Sequence, residues 1–322
     1  MALSPPFNPM SALRVLFYGT SSFAVPALEA LVNDARFDVV CVVTQPDRPV
    51  GRKAELTPSP VKQCALSHNL PVKQFESVKD SSVYEELTTY QPDIAIVASF
   101  GQIMPERLLA LPTHGSLNIH GSLLPAYRGS SPINAALLHG DQETGVTIIK
   151  MDAKMDHGPI LATVSEPILS HDSASQLHDR LALLGGKVIG DIITDYVAGT
   201  LVPQPQIDEQ ATYVKLLTRE DGELDWHQSA TLLERKIRAY DPWPGTYTFF
   251  ESQRLKVLAG HVIALPTELE QANPGTPFVY EQLPAMVCGE KTAFCLDRLQ
   301  PEGKKPMEGK EFLRGKASWG KA

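Results

Sequence analysis

Over the first two hundred residues, apolar positions fall into short unbroken runs separated by stretches with helical spacing. Residues 13–18 (LRVLFY), 38–44 (DVVCVVT) and 93–99 (DIAIVAS) are continuous and largely β-branched, the texture of strands buried on both faces. Residues 116–120, 145–151 and 159–164 read as further strands. Between these runs, Phe23, Leu28 and Leu31 follow the small residues Gly19–Ser22 at helical spacing, and 59–69 is a helix with Pro60 in its first turn. Residues 83–90, 105–111 and 132–139 are shorter helices, and 173–198 is a long one with Leu177, Leu181, Leu184, Val188, Ile192 and Val197 along one face. Residues 45–60 form a long loop rich in proline and basic residues. Doubly buried strands alternating with helices predict an α/β, Rossmann-like parallel sheet with helices on both faces.

That pattern stops after Thr200. The stretch LVPQPQIDEQ has two prolines and reads as a linker. Beyond it, one amphipathic helix (229–239) precedes short strands at 246–250, 255–262, 276–279, 286–288 and 292–296, punctuated by Gly and Pro. This texture predicts a small C-terminal OB-like β-barrel. The expected division is a catalytic domain over 1–204, a linker over 205–212 and a second domain over 213–322.

Composition narrows the class. With 43% hydrophobic and 20% charged residues the chain is ordinary for a globular protein. No run approaches the roughly 18 apolar residues of a membrane span. The first dozen residues lack the basic start of a secretory signal and the arginines of a mitochondrial leader, so they read as a loose lead-in to a strand. Four widely spaced cysteines without a C-x-x-C favour the cytosol. The net charge of −8 means that an RNA partner must use local basic patches rather than a global field. The first turn, YGTSSFA, is not G-x-G-x-x-G and reads as an ordinary strand-to-helix turn rather than a dinucleotide site.

The densest group of small and polar residues is Asn118-Ile119-His120-Gly121-Ser122-Leu123-Leu124-Pro125. Strand alternation puts Asn118 and His120 on one face, near the carboxyl edge where such sheets bind ligands. A carboxamide beside an imidazole suits acyl transfer, because both can hydrogen-bond a developing oxyanion and the imidazole can move a proton. Alone, a histidine at a strand end is more often simply a satisfied structural residue. A second group, residues 151–159 (MDAKMDHGP), supplies carboxylates. Spacing does not choose between Asp152 and Asp156, and a lone loop aspartate is usually a turn residue.

N-I-H-G-S-L-L-P, then A-Y-R-G-S-S-P-I (126–133), G-V-T-I (145–148) and D-H-G-P (156–159), resemble in order the 10-formyltetrahydrofolate-dependent formyltransferases. The resemblance implies Asn118, His120 and Asp156 as the catalytic set and Ser122, Leu123, Leu124 and Pro125 as the folate-contacting segment. It also implies 10-formyltetrahydrofolate as co-substrate. No metal is expected, since no Cys/His cluster has ligand spacing. The segments T-Q-P-D-R-P-V-G-R (44–52) and T-P-S-P-V-K (57–62) resemble the long loop of the methionyl-tRNA formyltransferases, which reaches into the acceptor stem. That implies Arg48, Arg52 and Lys53 as tRNA-binding residues, with Arg52 the foremost. Asp225-Trp226, Ile237-Arg238-Ala239 and D-P-W-P-G (241–245) resemble the family's second domain, an open β-barrel that grips tRNA. D-P-W-P-G and A-Y-R-G are shared with a sugar-formylating relative, so the loop discriminates better. The expected protein is a cytoplasmic monomer acting on initiator methionyl-tRNA. The rival readings are a sugar-nucleotide N-formyltransferase and a non-catalytic RNA-binding protein with a dead transferase domain. One departure stands out: His157 follows Asp156, where the family usually carries a small residue or Thr.

Overall fold

The computed structural model describes residues 12–50, 55–316 and 318–320. In chain order the first part holds β1 (Leu13–Gly19), α1 (Val25–Val32), β2 (Phe37–Thr44), β3 (Arg48–Val50), β4 (Glu55–Thr57), α2 (Pro60–Ser67), β5 (Val72–Gln74), α3 (Ser81–Thr88), β6 (Ile94–Ala98), α4 (Glu106–Leu109) and β7 (Ser116–His120). It continues with β8 (Arg128–Gly129), α5 (Pro132–His139), β9 (Glu143–Lys150), β10 (Ile160–Pro167), α6 (Ala174–Val197) and β11 (Tyr213–Val214). Then come α7 (Ala230–Ala239), β12 (Thr246–Phe250), β13 (Gln253–Ala264), β14 (Pro277–Tyr280), β15 (Leu283–Cys288), β16 (Thr292–Pro301), β17 (Met307–Glu308) and α8 (Gly309–Arg314). The lead-in before Ala12 lies outside the described residues.

Two compact units divide the chain, and neither is continuous. The first takes residues up to 132, 143–167 and 178–214; the second takes 133–142, 168–177 and 215–322.

The first unit is a seven-stranded sheet ordered β10-β9-β7-β6-β1-β2-β5. The five strands from β7 to β5 are parallel, as their apolar runs require. The expected parallel sheet is extended at one edge, where β9 and β10 are antiparallel. In β10 the burial alternates instead of staying continuous, the signature of an edge strand with one face in water. One face of the sheet packs Leu16, Tyr18, Cys41, Val43, Ala95 and Val97 against Val83, Leu87 and Leu108 of α3 and α4. On the other face α6 comes close: a Cβ on Gly185 would lie 2.8 Å from the Ile119 side chain. Within residues 45–60, read from sequence as loop, β3 and β4 pair as a short antiparallel hairpin. Its base is fixed by Asp47, which accepts from Lys62 Nζ at 2.7 Å and Gln74 Nε2 at 2.8 Å. The Lys62 bond holds the Asp47 carboxyl below the usual carboxylate range.

The second unit is built on an antiparallel sheet ordered β12-β13-β16-β15-β14, with β17 paired to β16. Period-two alternation divides its core. Phe294 and Leu296 pack with Trp226, Leu233, Ile237 and Phe312, whereas Ala293 and Cys295 pack with Phe278, Ala285 and Val287. Register shifts at Val257/Ala259 and Ala259/Gly260 interrupt the long β13, the bulges by which strands of small barrels bend. The strand path is open, since β12 and β14 each end the order.

Candidate active site

All parts of the site belong to the first unit. In β7, Ser116, Asn118 and His120 share a face while Leu117 and Ile119 share the other. Asn118 is held between Val97 of β6 and Ile149 of β9. Asp156 comes from the loop between β9 and β10, in the left-handed region at φ 47°.

The three residues meet. Asn118 Nδ2 donates to Asp156 Oδ1 at 3.2 Å. Asp156 Oδ2 accepts the Gly129 N–H at 2.9 Å and faces His120 Nδ1 at 3.7 Å. His120 Nε2 lies 3.0 Å from the Tyr127 carbonyl oxygen. The His120 side chain is 6% exposed and that of Asp156 15%, so a carboxylate that reaches solvent is set against an imidazole that barely does. Asp152, which spacing left equal to Asp156, points elsewhere: its Oδ2 takes His157 Nδ1 at 2.6 Å.

The segment after β7 is pinned from within. The Thr147 hydroxyl donates to the Ser122 carbonyl at 2.6 Å and accepts the Leu124 N–H at 3.1 Å. Ser122 Oγ donates to the Ala126 carbonyl at 2.6 Å. Of the four residues assigned to folate, Ser122 and Leu124 are buried, and Leu123 and Pro125 are partly exposed. Ser122 therefore shapes the turn, and Leu123 and Pro125 present its apolar edge. The Leu124–Pro125 peptide is cis.

Sequence reasoning passed over the residues that hold this geometry. Arg128 is 1% exposed, the largest fully buried side chain among the described residues. Its guanidinium donates to Gln206 Oε1 at 3.1 and 2.9 Å, to Asp208 Oδ1 at 2.8 Å and to the Tyr213 hydroxyl at 3.1 Å. Gln206 Nε2 in turn donates to the carbonyls of Asp156 and Gly158, each at 2.8 Å. Arg128 thus holds a glutamine amide that holds the Asp156 loop by its backbone. The Arg128 hydrogen bond is the main cause that keeps the Asp208 carboxyl below the usual range. Gln206 and Asp208 lie in the stretch read as linker; its one usable signal was a glutamine just after the second proline, two positions before an acid. Pairing of β8 with β11 locks the strap. Gly129, at φ 121°, is required there, because a Cβ would lie 2.1 Å from the Val214 carbonyl oxygen.

Of the residues assigned to tRNA, Arg48 is exposed on β3 and pairs with Glu76 at 3.0 Å. Arg52 and Lys53 lie outside the described residues.

The formyl transferase family profile matches residues 13–193, and that of the formyl transferase C-terminal domain matches 216–317. A methionyl-tRNA formyltransferase of Roseiflexus sp. (strain RS-1) is 45% identical over 303 residues, covering 94% of this chain and 92% of its own length. That of Bacillus subtilis (strain 168) is 43% identical, covering 94% of each chain. Among solved structures, the sugar 3N-formyltransferase WlaRD, crystallised with dTDP and 5-N-formyl-THF, has a TM-score of 0.64 at 17% identity, over 91% of this chain and 99% of its own. HypX from Aquifex aeolicus with tetrahydrofolic acid has a TM-score of 0.61 at 15% identity, over 96% of this chain and 48% of its own. These two share the fold. With both profiles matched in order and close relatives of one name along nearly the full length, the chain belongs to the methionyl-tRNA formyltransferase branch of the formyl transferase family.

Proposed function

We propose that this protein transfers the formyl group of 10-formyltetrahydrofolate to the free amino group of methionyl-initiator-tRNA, supplying formylmethionyl-tRNA for translation initiation in the cytoplasm. The observation that carries the reading is the junction of a carboxamide, an imidazole and a carboxylate in one partly solvent-exposed corner. In this reading residues 1–204 carry the folate and formyl chemistry and residues 213–322 bind tRNA. The Leu123–Pro125 edge lies against the folate, and Arg48, Arg52 and Lys53 engage tRNA phosphates and exposed bases.

The neutral amine attacks the formyl carbon, and the new C–N bond places negative charge on the formyl oxygen. Asn118 has two amide hydrogens and gives one to Asp156. The second is available to that oxygen, with His120 beside it. Each Asp156 oxygen keeps lone pairs beyond its hydrogen bond to Asn118 or Gly129, so the carboxylate can take the proton shed by the amine. The 3.7 Å between His120 Nδ1 and Asp156 Oδ2 is too long for a direct hydrogen bond. It suits relay through a water or the reacting nitrogen. As the proton reaches folate N10, the C–N10 bond breaks and tetrahydrofolate leaves.

The test is transfer of labelled formyl from 10-formyltetrahydrofolate to three acceptors: initiator methionyl-tRNA, elongator methionyl-tRNA and an amino-sugar nucleotide. The charged initiator is expected to be formylated at a kcat/KM well above the other two. Formylation of the sugar with the tRNAs untouched would overturn the assignment.

A further inference from the structure

A second chemical grouping lies apart from the site. Cys64 is in α2 and His68 is its C-cap residue, four positions on, so their side chains stand over one face. Glu29 faces them from α1, which packs beside α2. One donor atom from each residue, a thiol sulfur, a ring nitrogen and a carboxylate oxygen, lies within 4.8 Å of the other two. None of the three side chains takes a hydrogen-bond or ion-pair partner among the described residues, so their lone pairs are uncommitted. Cys64 is buried, His68 partly exposed and Glu29 exposed, which leaves the group open to solvent along the carboxylate.

We infer that Glu29, Cys64 and His68 form a binding site for a thiolate-seeking divalent cation of the zinc class, with water as fourth ligand. Sulfur, imidazole nitrogen and one carboxylate make a donor set of the borderline-soft kind that zinc prefers over magnesium or calcium. Around a tetrahedral zinc one sulfur, one nitrogen and one oxygen stand roughly 3.3–3.6 Å apart. The donor atoms lie within 4.8 Å of one another, so closing on an ion asks for a shift of at most about 1.5 Å, to which the long exposed side chain of Glu29 can contribute. The carboxyl end of α2 adds partial negative charge beside the ion. Burial, with the Glu29 carboxylate adding to it, pushes the Cys64 thiol up to about 11. Binding therefore releases the thiol proton to solvent as the sulfur–metal bond forms, and affinity rises with pH. An ion held here ties α1 to α2, the helix that begins three residues after the basic hairpin ends. The sequence reading missed the spacing because C-x-x-x-H on one helix supplies only two donors, and the third comes from another element.

Cobalt(II) is the probe, titrated into the full chain after chelator treatment under reducing conditions. The expected result is a saturable near-ultraviolet thiolate-to-cobalt band with tetrahedral visible bands, displaced by zinc at one equivalent. Cys64→Ala should abolish the charge-transfer band while Cys295→Ala keeps it. His68→Gln should weaken zinc at least about tenfold, the loss of one of three protein donors. Glu29→Gln, at an exposed position, should weaken it severalfold whether or not Cys64→Ala folds. Absence of the band at saturating cobalt, its survival in Cys64→Ala, or unchanged zinc affinity in both His68→Gln and Glu29→Gln would overturn the site.

Discussion

Asp156 is the most heavily engaged of Asn118, His120 and Asp156. Asn118 and the Gly129 N–H use one lone pair on each of its carboxylate oxygens, and Gln206 holds its carbonyl. Its neighbour His157, the departure from the family pattern, turns away toward Asp152 at 2.6 Å and Asp208 at 3.4 Å. With 29% of the His157 side chain exposed, these pairs are of the weak, screened kind. His157→Thr is therefore expected to keep kcat within about fivefold of wild type and leave the pH–rate profile in place, because an exposed pair is worth at most about 1 kcal/mol. A displaced profile would show that the imidazole feels the reacting groups. At this scale the shared face of Asn118 and His120 was legible from strand alternation, whereas their role came from family resemblance. The preference for Asp156 over Asp152 came from family resemblance, since two loop aspartates four apart carry no periodicity. The burial of Arg128 was illegible, because arginine is among the residues least often found fully buried.

At the scale of elements, the Asp156 loop depends on a strap from a distant part of the chain. Gln206 spends its whole amide on the task, accepting from Arg128 and donating to two carbonyls of the loop. Gln206→Ala should leave the Arg128 guanidinium short of an acceptor and free the Asp156 backbone. The expected outcome is kcat lower by about tenfold or more, with folate KM nearly unchanged, since misplacing a catalytic group by an ångström costs on the order of 100-fold. Equal losses in folate binding and turnover would instead point to a general loosening of the fold. Gly158 gives a sharper perturbation of the same loop. A Cβ there would lie 1.8 Å from the Lys150 carbonyl oxygen, so the backbone must move. Gly158→Ala is expected to cost both activity and melting temperature; a variant with wild-type kcat would show that the loop tolerates the shift. Strands such as β1, β2 and β6 were plain in the sequence because burial on both faces makes apolar runs continuous. The hairpin β3–β4 and the strap were not. Both pair through backbone and polar side chains in segments whose prolines and glutamines carry the composition of loops.

For the molecule as a whole, the chain order understates how the units are assembled. The second unit draws residues 133–142 and 168–177 from between segments of the first unit. Inside it, Asn134 donates to the Ala239 carbonyl at 2.6 Å and Arg238 to the Asp172 carbonyl at 2.9 Å. A hydropathy pattern cannot show this, because such helices and loops look alike whichever core they join. Stability should also depend on pH through the first unit. Burial is the leading cause that lowers the pKa of His114, with Lys150 adding to it and Asp93 opposing. The unfolded chain then takes up the His114 proton first as pH falls. This contribution is whole above about pH 6.5 and is lost as pH drops through the depressed folded value. His114→Gln should flatten the fall in melting temperature between about pH 7 and 5; a slope equal to wild type would remove His114 from the account.

The central claim is that Asn118, His120 and Asp156 act as one unit on a single formyl carbon. Single-turnover transfer of labelled formyl to methionyl-tRNA, compared among Asn118→Ala, Asp156→Ala and the double variant, addresses it directly. The account predicts that each single change slows transfer on the order of 100-fold or more and that the double variant is scarcely slower than the worse single one. Losses that multiply, or a single variant that transfers at the wild-type rate, would contradict it.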